Sequence, residues 1–312
     1  MNILKSGVNL LNRVQNDVKH TVQKAENAVG TAVNAVQQGV AKGEQKVGQF
    51  VDGFEDQVTQ KAGLLGGLFG GDKADKKYDG KLVGAGGQTF NPGTPLSQIP
   101  GVTPKNNPNP SQTILYVNGI GDNKDKQARS LQSIADTTGA KLIGVHNATE
   151  GQAADVLQCI KDKLDKGTNP AVDTLADTIY SELKAGRSVH VMGHSQGGLI
   201  TSRALNDVAR RLRAEDGLSQ ADTEKLLGKV NVETFGAAAW AYPDGPNYVH
   251  YVNDKDLVPE LFGLGAGAVD DPGKGAVVRK FSSGSNPGEA HGLTQSYLPA
   301  RIPFDEARAG KE

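Results

Sequence analysis

One serine of the chain lies in a setting that can make it a nucleophile. The segment GHSQG (193–197) fits the pattern Gly-x-Ser-x-Gly, with an apolar strand-like run before it and a helix-like stretch after it. A strand that turns directly into a helix leaves little room for side chains, so glycines keep the crowded positions open. The Ser195 hydroxyl would then project from the carboxyl edge of a sheet. The Gln196 amide, at the helix start, could donate to an oxyanion.

Strand-like and helix-like segments alternate from residue 112 onward. The predicted strands are 113–120, 141–148, 188–195, 231–238, 248–254 and 276–283. The predicted helices are 126–139, 151–165, 171–185 and 196–212. This alternation predicts an α/β fold with a mostly parallel sheet and helices on both faces. Ligand sites in such sheets lie at the carboxyl ends of the strands.

The nucleophile turn and its flanks resemble those of the α/β-hydrolase superfamily, and more narrowly of its lipase and esterase branch. The resemblance extends from residue 113 to about residue 300. It implies the α/β-hydrolase fold, Ser195 as nucleophile, and the order serine, acid, histidine along the chain.

The base that this order requires is expected to be His291. Among six histidines, it alone follows a plausible acid at a strand end, in a C-terminal loop where the family keeps its base. The other five lie in the N-terminal segment, inside or at the end of strands, or in the nucleophile turn: His20, His146, His190, His194 and His250.

The acid is expected just after the strand YVHYV. The run D-L-V-P that begins at Asp256 resembles the D-x-V-P run that carries the acid in many lipases, and Asp254 is the alternative. Asp254 follows an asparagine, and such pairs favour turns. The acid would orient the histidine and stabilise its charged form.

A second oxyanion donor is expected in the loop after the first parallel strand. Asn118-Gly119-Ile120-Gly121 occupies that place and is similar to the His-Gly pair of many lipases, with Asn118 in place of the histidine. Because only backbone amides are needed, we expect the Ile120 amide to act beside that of Gln196.

The first 62 residues carry a different pattern. They contain no proline, and apolar residues recur every 11 positions, as in Val18, Val29, Val40 and Val51. Eleven residues span about three helical turns, so one face of a long helix stays apolar. The pattern is similar to that of apolipoprotein-like and synuclein-like lipid-binding helices. This amphipathic arm is expected to contact a membrane surface, a protein partner, a second copy of itself or the rest of the protein.

The predicted organisation is therefore an arm (1–62), a Gly/Pro/Asn-rich linker or extended wrap (63–111) and a catalytic domain (112–312). A formal net charge of −1 argues against nucleic-acid binding. One cysteine, Cys159, expected on a buried helix face, excludes an intrachain disulfide, and no metal or other cofactor is expected.

The N-terminus lacks the features of a Sec signal peptide, and no apolar stretch reaches 18 residues. We expect a cytoplasmic protein or one exported by a signal-independent route, with a peripheral membrane location left open.

These features predict a carboxylic-ester hydrolase, such as a lipase or a phospholipase A-like enzyme. The apolar stretch 257–265 would form a groove wall or a lid. A thioesterase, an amidase or a transacylase would use the same triad. A catalytically inactive lipid- or partner-binding protein is a further alternative. An amphipathic arm on a lipase-like domain would also suit a secreted effector.

Overall fold

The computed structural model describes residues 76–148, 169–265 and 270–311. Several sequence predictions lie outside these residues: the amphipathic arm (1–62), the helix at 151–165, and the buried position of Cys159.

Eight strands of the described residues form one sheet in the order β2-β1-β4-β3-β5-β6-β7-β8. They are β1 (Leu82–Val83), β2 (Thr89–Phe90), β3 (Thr113–Val117), β4 (Lys141–Val145), β5 (Val189–His194), β6 (Val230–Phe235), β7 (Asn247–Asn253) and β8 (Val277–Phe281). Strands β3 to β8 pair in parallel, and β1 pairs antiparallel with β2 and β4. The six predicted strands all form, and the mostly parallel sheet is confirmed.

Helices connect these strands. They are α1 (Lys124–Thr138), α2 (Pro170–Lys184), α3 (Gln196–Ala214), α4 (Gln220–Leu227), α5 (Leu257–Phe262), α6 (Pro287–His291), α7 (Leu298–Ala300) and α8 (Phe304–Arg308). Short 3-10 turns lie at Lys76–Tyr78, Ala85–Gly87 and Leu96–Gln98, and a π-helical turn spans Leu293–Tyr297. Helix α1 ends where the sequence predicts, because Gly139 adopts the left-handed conformation of a C-cap (φ 72°).

The sheet is buried on both faces, as alternation along β3 illustrates. Ile114 and Tyr116 pack on one side with α1 and the C-terminal helices. Leu115 and Val117 pack on the other side with α2 and α3. Successive strand residues point to opposite faces, so continuous apolar strands require two helical layers. The predicted α/β fold class, with a mostly parallel sheet and helices on both of its faces, is confirmed.

Residues 76–111, which the sequence places in the linker or wrap, are packed against the sheet. Strand β1 pairs with β4, so that Leu82 lies opposite Val145. Val102 forms an antiparallel bridge with Leu142, and Ile99 is buried. This part of the chain therefore extends one edge of the sheet.

The apolar stretch after Asp256 does not form an exposed wall. Its described apolar side chains are buried in the main core: Leu257, Val258, Phe262 and Leu264. Gly263 permits this packing, because a Cβ there would lie 2.0 Å from the Ala237 carbonyl oxygen. The expectation of a groove wall or lid in this stretch is wrong for the residues described.

Candidate active site

The Ser195 backbone adopts a conformation that non-glycine residues rarely use. Its φ of 57° and ψ of −123° make it the sole non-glycine residue with positive φ among the residues described. Such conformations cost about 1–3 kcal/mol and require support from their surroundings. The Ser195 amide donates to Phe235 O (3.0 Å), and its carbonyl accepts from the amides of Gly198 (3.0 Å) and Ala238 (3.1 Å). These bonds hold the serine between β5 and α3.

Glycines make room for this turn, as the sequence predicts. A Cβ on Gly193 would lie 2.7 Å from Gly197 O, and a Cβ on Gly197 would lie 2.1 Å from Val117 O. A Cβ on Gly119 would lie 2.9 Å from Ser195 Cβ. The loop after β3 therefore passes directly beside the serine, where a second oxyanion donor is expected.

His291 and Asp256 form a hydrogen-bonded pair. His291 Nδ1 lies 2.8 Å from Asp256 Oδ2, and the Asp256 side chain is fully buried. An Nδ1–H that donates to the carboxylate leaves Nε2 as the basic nitrogen. The alternative acid, Asp254, is exposed, and its amide donates to Phe281 O at the end of β8. The structure brings Asp256, rather than Asp254, to the histidine.

Both oxygens of the Asp256 carboxylate have further donors. Oδ1 accepts from the Val258 amide (2.9 Å) at the start of α5. Oδ2 accepts from the Tyr297 hydroxyl (2.5 Å) as well as from His291. The carboxylate plane is thus fixed by three donors from three segments of the chain.

His194 links this pair to the nucleophile turn. Its Nε2 donates to the His291 carbonyl oxygen (2.8 Å), and the two imidazole rings lie 4.7 Å apart between centroids. Burial, together with the nearby His291, lowers the pKa of His194 well below its usual value. His194 is therefore neutral near pH 7. Because it directly precedes Ser195, the residues predicted as nucleophile, base and acid lie in one region at the carboxyl edge of the sheet.

Asn118 is the centre of a buried polar network under the loop after β3. Its Nδ2 donates to Asn147 O (2.8 Å) and Gly119 O (3.1 Å). Its Oδ1 accepts from Gln127 Nε2 (3.0 Å) and from the Asn147 amide (2.9 Å). The Asn118 amide thus donates two hydrogen bonds and accepts two, whereas a neutral imidazole has one N–H donor and one acceptor nitrogen. Asparagine at this position can therefore hold the loop after β3 through more bonds than a histidine could.

The same network reaches the first residue of α3. Asn147 Nδ2 donates to Gln196 Oε1 (2.7 Å), and His146 Nδ1 lies 2.7 Å from Gln127 Oε1. Both His146 and Asn147 are buried and hydrogen-bonded. The network joins the loop that carries Ile120 to the start of α3. The roles of the Gln196 and Ile120 amides as oxyanion donors stay predictions.

A second carboxylate lies near the base. Asp122, in the loop between β3 and α1, is almost fully buried and forms an ion pair with Lys126 (2.7 Å). Burial raises the pKa of Asp122, although the positive charge of Lys126, and that of His291 when it is protonated, oppose this effect. Asp122 thus contributes to the electrostatic field at His291.

The sequence did not indicate two residues that support the pair. Tyr297 binds Asp256, as described above. Asn253 Nδ2 donates to Ser283 O and to Ala290 O (both 2.9 Å), so it joins the ends of β7 and β8 to the residue before His291. The sequence feature that could have indicated Asn253 is its place as a polar residue at the carboxyl end of the largely apolar strand β7. Tyr297 has no local signal, since its partner lies 41 residues away.

The part of the chain that the structure describes holds no cluster of three or more His, Cys, Asp or Glu side chains arranged to bind a metal ion. Among the same residues, no helix combines the length and apolar character needed to cross a bilayer.

No family model matches this chain, and no curated protein matches it. Among solved structures, the chain is similar to a Trichoderma reesei cutinase in complex with a phosphonate inhibitor. The two chains share 13% identity, with a TM-score of 0.32, and the alignment covers 91% of this chain and 96% of the cutinase chain. The cutinase is a distant neighbour, and the fold described above follows from the order and direction of the strands.

Proposed function

We propose that this protein is a serine hydrolase acting on carboxylic esters, with Ser195 as nucleophile, His291 as general base and Asp256 as orienting acid. The observation that carries the proposal is the Asp256–His291 pair, which His194 links to the turn where Ser195 has a positive φ. Enzymes that transfer acyl groups through a serine place that serine near a base, which a third group orients.

The reaction follows from these positions. His291 Nε2 accepts the Ser195 proton as Oγ attacks the acyl carbonyl, and the backbone amides of Gln196 and Ile120 stabilise the oxyanion. His291 then returns the proton to the leaving alcohol, which leaves an acyl-enzyme. Water, deprotonated by His291, releases the acid and restores the serine. Asp256 holds the Nδ1 proton and stabilises the imidazolium in both steps.

Within this class, we favour a lipid ester as substrate, cleaved by a lipase or phospholipase A-like activity at a membrane surface. The support is the 11-residue apolar pattern of the arm (1–62), whose helix would lie on lipid. The stretch 257–265 no longer supports it, because its described apolar side chains are buried. A secreted effector would use the same chemistry.

The alternatives differ in the bond cleaved or in the absence of cleavage. A thioesterase, an amidase or a transacylase would use the same three residues. An inactive lipid- or partner-binding protein would not need a buried carboxylate bonded to the histidine, so the Asp256–His291 contact favours an enzyme.

The test is release of p-nitrophenol from esters of increasing acyl length, with thioester and anilide substrates in parallel. Ser195→Ala should lower kcat by up to about 10⁶-fold, as loss of a triad serine does elsewhere. Preference for long acyl chains would support a lipid ester, and preference for acetate would support a small-ester enzyme. No turnover and no labelling of Ser195 by a fluorophosphonate would overturn the hydrolase proposal and favour the binding protein.

A further inference from the structure

Tyr297 is a buried tyrosine whose hydroxyl reaches the acid of the proposed triad. Its Oη lies 2.5 Å from Asp256 Oδ2, the same oxygen that accepts from His291 Nδ1. It ends the π-helical turn Leu293–Tyr297 that directly follows the His291 segment. Such turns are uncommon and occur often at functional sites.

The ring of Tyr297 is held by neighbours from three strands. It makes edge-to-face contacts with Phe281 (5.3 Å between centroids), Phe235 (6.3 Å) and His194 (6.1 Å). The Tyr297 hydroxyl also accepts from the Asn253 amide (3.4 Å). A buried ring that is packed on several sides aims its hydroxyl in one direction, which here is toward the carboxylate.

Gly236 provides the space in which the two groups meet. Its φ is +53°, and a Cβ there would lie 2.6 Å from both Asp256 Oδ2 and Tyr297 Oη. Any larger residue at Gly236 would therefore displace the phenol or the carboxylate.

We propose that Tyr297 is a positioning residue of the acid–base pair: its hydroxyl fixes Asp256 Oδ2 and limits how strongly that oxygen binds His291 Nδ1. Two donors on one oxygen share its negative charge, so loss of one strengthens the bond to the other. Without the phenol, the Asp256 carboxylate would favour the imidazolium form of His291 more strongly. Its carboxyl plane would also be less constrained. The kinetic part of this inference depends on the proposed esterase activity.

The other charged and titratable groups near His291 stay in place when the hydroxyl is removed. They are His194 in the nucleophile turn, Asp122 in the loop before α1, Lys126 in the first turn of α1, and Asp256 itself. A shift of the pH profile in a Tyr297 variant would therefore report the altered carboxylate.

The test is Tyr297→Phe, which removes one oxygen and keeps the ring. We expect kcat to fall about tenfold with KM nearly unchanged, since a less constrained carboxylate orients His291 less well and this loss outweighs the stronger support of its charged form. The acidic limb of the kcat/KM profile should move to higher pH, because His291 becomes easier to protonate. The low-field ¹H NMR signal of the His291 Nδ1 proton should shift further downfield. Gly236→Ala, which disrupts the same contact, provides a second variant.

Tyr251→Phe is the matched control. Tyr251 is equally buried, and its hydroxyl donates to Ile302 O (3.1 Å) away from the triad, so its loss should leave kcat and the pH profile unchanged. The inference is overturned if Tyr297→Phe keeps the wild-type kcat, pH profile and NMR signal, or if it lowers only the Tm.

Failure of the proposed function would be recognised separately. If the wild-type protein cleaves no ester and Ser195 is not labelled, the hydrolase proposal fails. The NMR signal of the resting protein then decides the role of Tyr297 by itself: a shift in Tyr297→Phe supports the role, and an unchanged signal overturns it.

Discussion

The two sides of the candidate active site are built in different ways. The nucleophile side is one continuous segment, 193–197, whose shape is set by backbone contacts and by glycines with no room for a Cβ. The acid–base side joins Asp256 and His291, which are 35 residues apart, through side-chain hydrogen bonds from Tyr297 and Asn253.

Because of this difference, we expect the two sides to respond differently to amino-acid substitutions. An added methyl group at Gly193 or Gly197 collides with main-chain atoms, which cannot move without moving a strand or a helix. Removal of one polar side chain on the acid–base side leaves the others in place. We expect a single substitution on the nucleophile side to cause a large loss of activity. On the acid–base side, a single substitution should cause only a partial loss, with Asp256 as the exception.

Asp256→Asn should give the largest loss on the acid–base side, and it sharpens the comparison because the amide keeps the shape of the carboxylate. An amide that turns its NH₂ toward His291 Nδ1 favours the wrong tautomer, and a comparable change in a serine protease lowers kcat about 10⁴-fold. Steady-state hydrolysis of the best ester from the substrate panel measures this effect.

Asp254→Asn is the matched control, since it makes the same chemical change two residues away on an exposed side chain. We expect it to keep wild-type kcat and KM. Equal losses in the two variants would contradict the assignment of Asp256 as the acid.

The sequence predicted the nucleophile side better than the acid–base side for a physical reason. Glycine spacing and the strand-to-helix transition are local, so they place Ser195 without knowledge of the rest of the fold. The choice between Asp256 and Asp254 stayed open, because both follow the same strand. The start of α5 decides the geometry, where Asp256 caps the Val258 amide and turns toward His291.

The same reasoning explains two features that the sequence did not indicate. Strands β1 and β2 are two residues long, too short to show an alternating pattern within a Gly- and Pro-rich segment. An apolar stretch such as 257–265 looks alike whether it is exposed or buried. Its burial depends on the close approach of Gly263 to Ala237, which is a tertiary contact.

Gly197→Ala tests the large loss expected on the nucleophile side. The added Cβ would lie 2.1 Å from Val117 O, so β3 or the turn must shift and carry Ser195 with it. We expect at least about a 100-fold loss of kcat/KM, since displacement of reacting groups by about 1 Å has this effect. A lower Tm should accompany it. Kinetics and thermal unfolding measured on the same sample check both effects.

Gly139→Ala provides the matched control on stability. Gly139 also has positive φ, yet a Cβ there meets no atom within 4 Å. The change should cost about 1 kcal/mol from backbone conformation alone and leave kcat/KM unchanged. If Gly197→Ala lowered stability only slightly and kept kcat/KM, as expected for Gly139→Ala, the nucleophile turn would accept a Cβ for which its contacts leave no room. The expected large response of the nucleophile side would then be wrong.

Asn253→Ala tests the partial loss expected on the acid–base side and should have the smallest effect. It removes the bonds to Ser283 O and Ala290 O, which loosens the residue before His291, but Asp256 and Tyr297 still hold the pair. We expect kcat to fall about tenfold with Ser195 still labelled by a fluorophosphonate.

Asn247→Ala is the control. Asn247 makes similar bonds to Gly228 O and Asn231 at the opposite end of β7, so its loss should lower stability without affecting kcat. A loss as severe in Asn253→Ala as in Asp256→Asn would mean that the acid–base side, like the nucleophile turn, tolerates no local change.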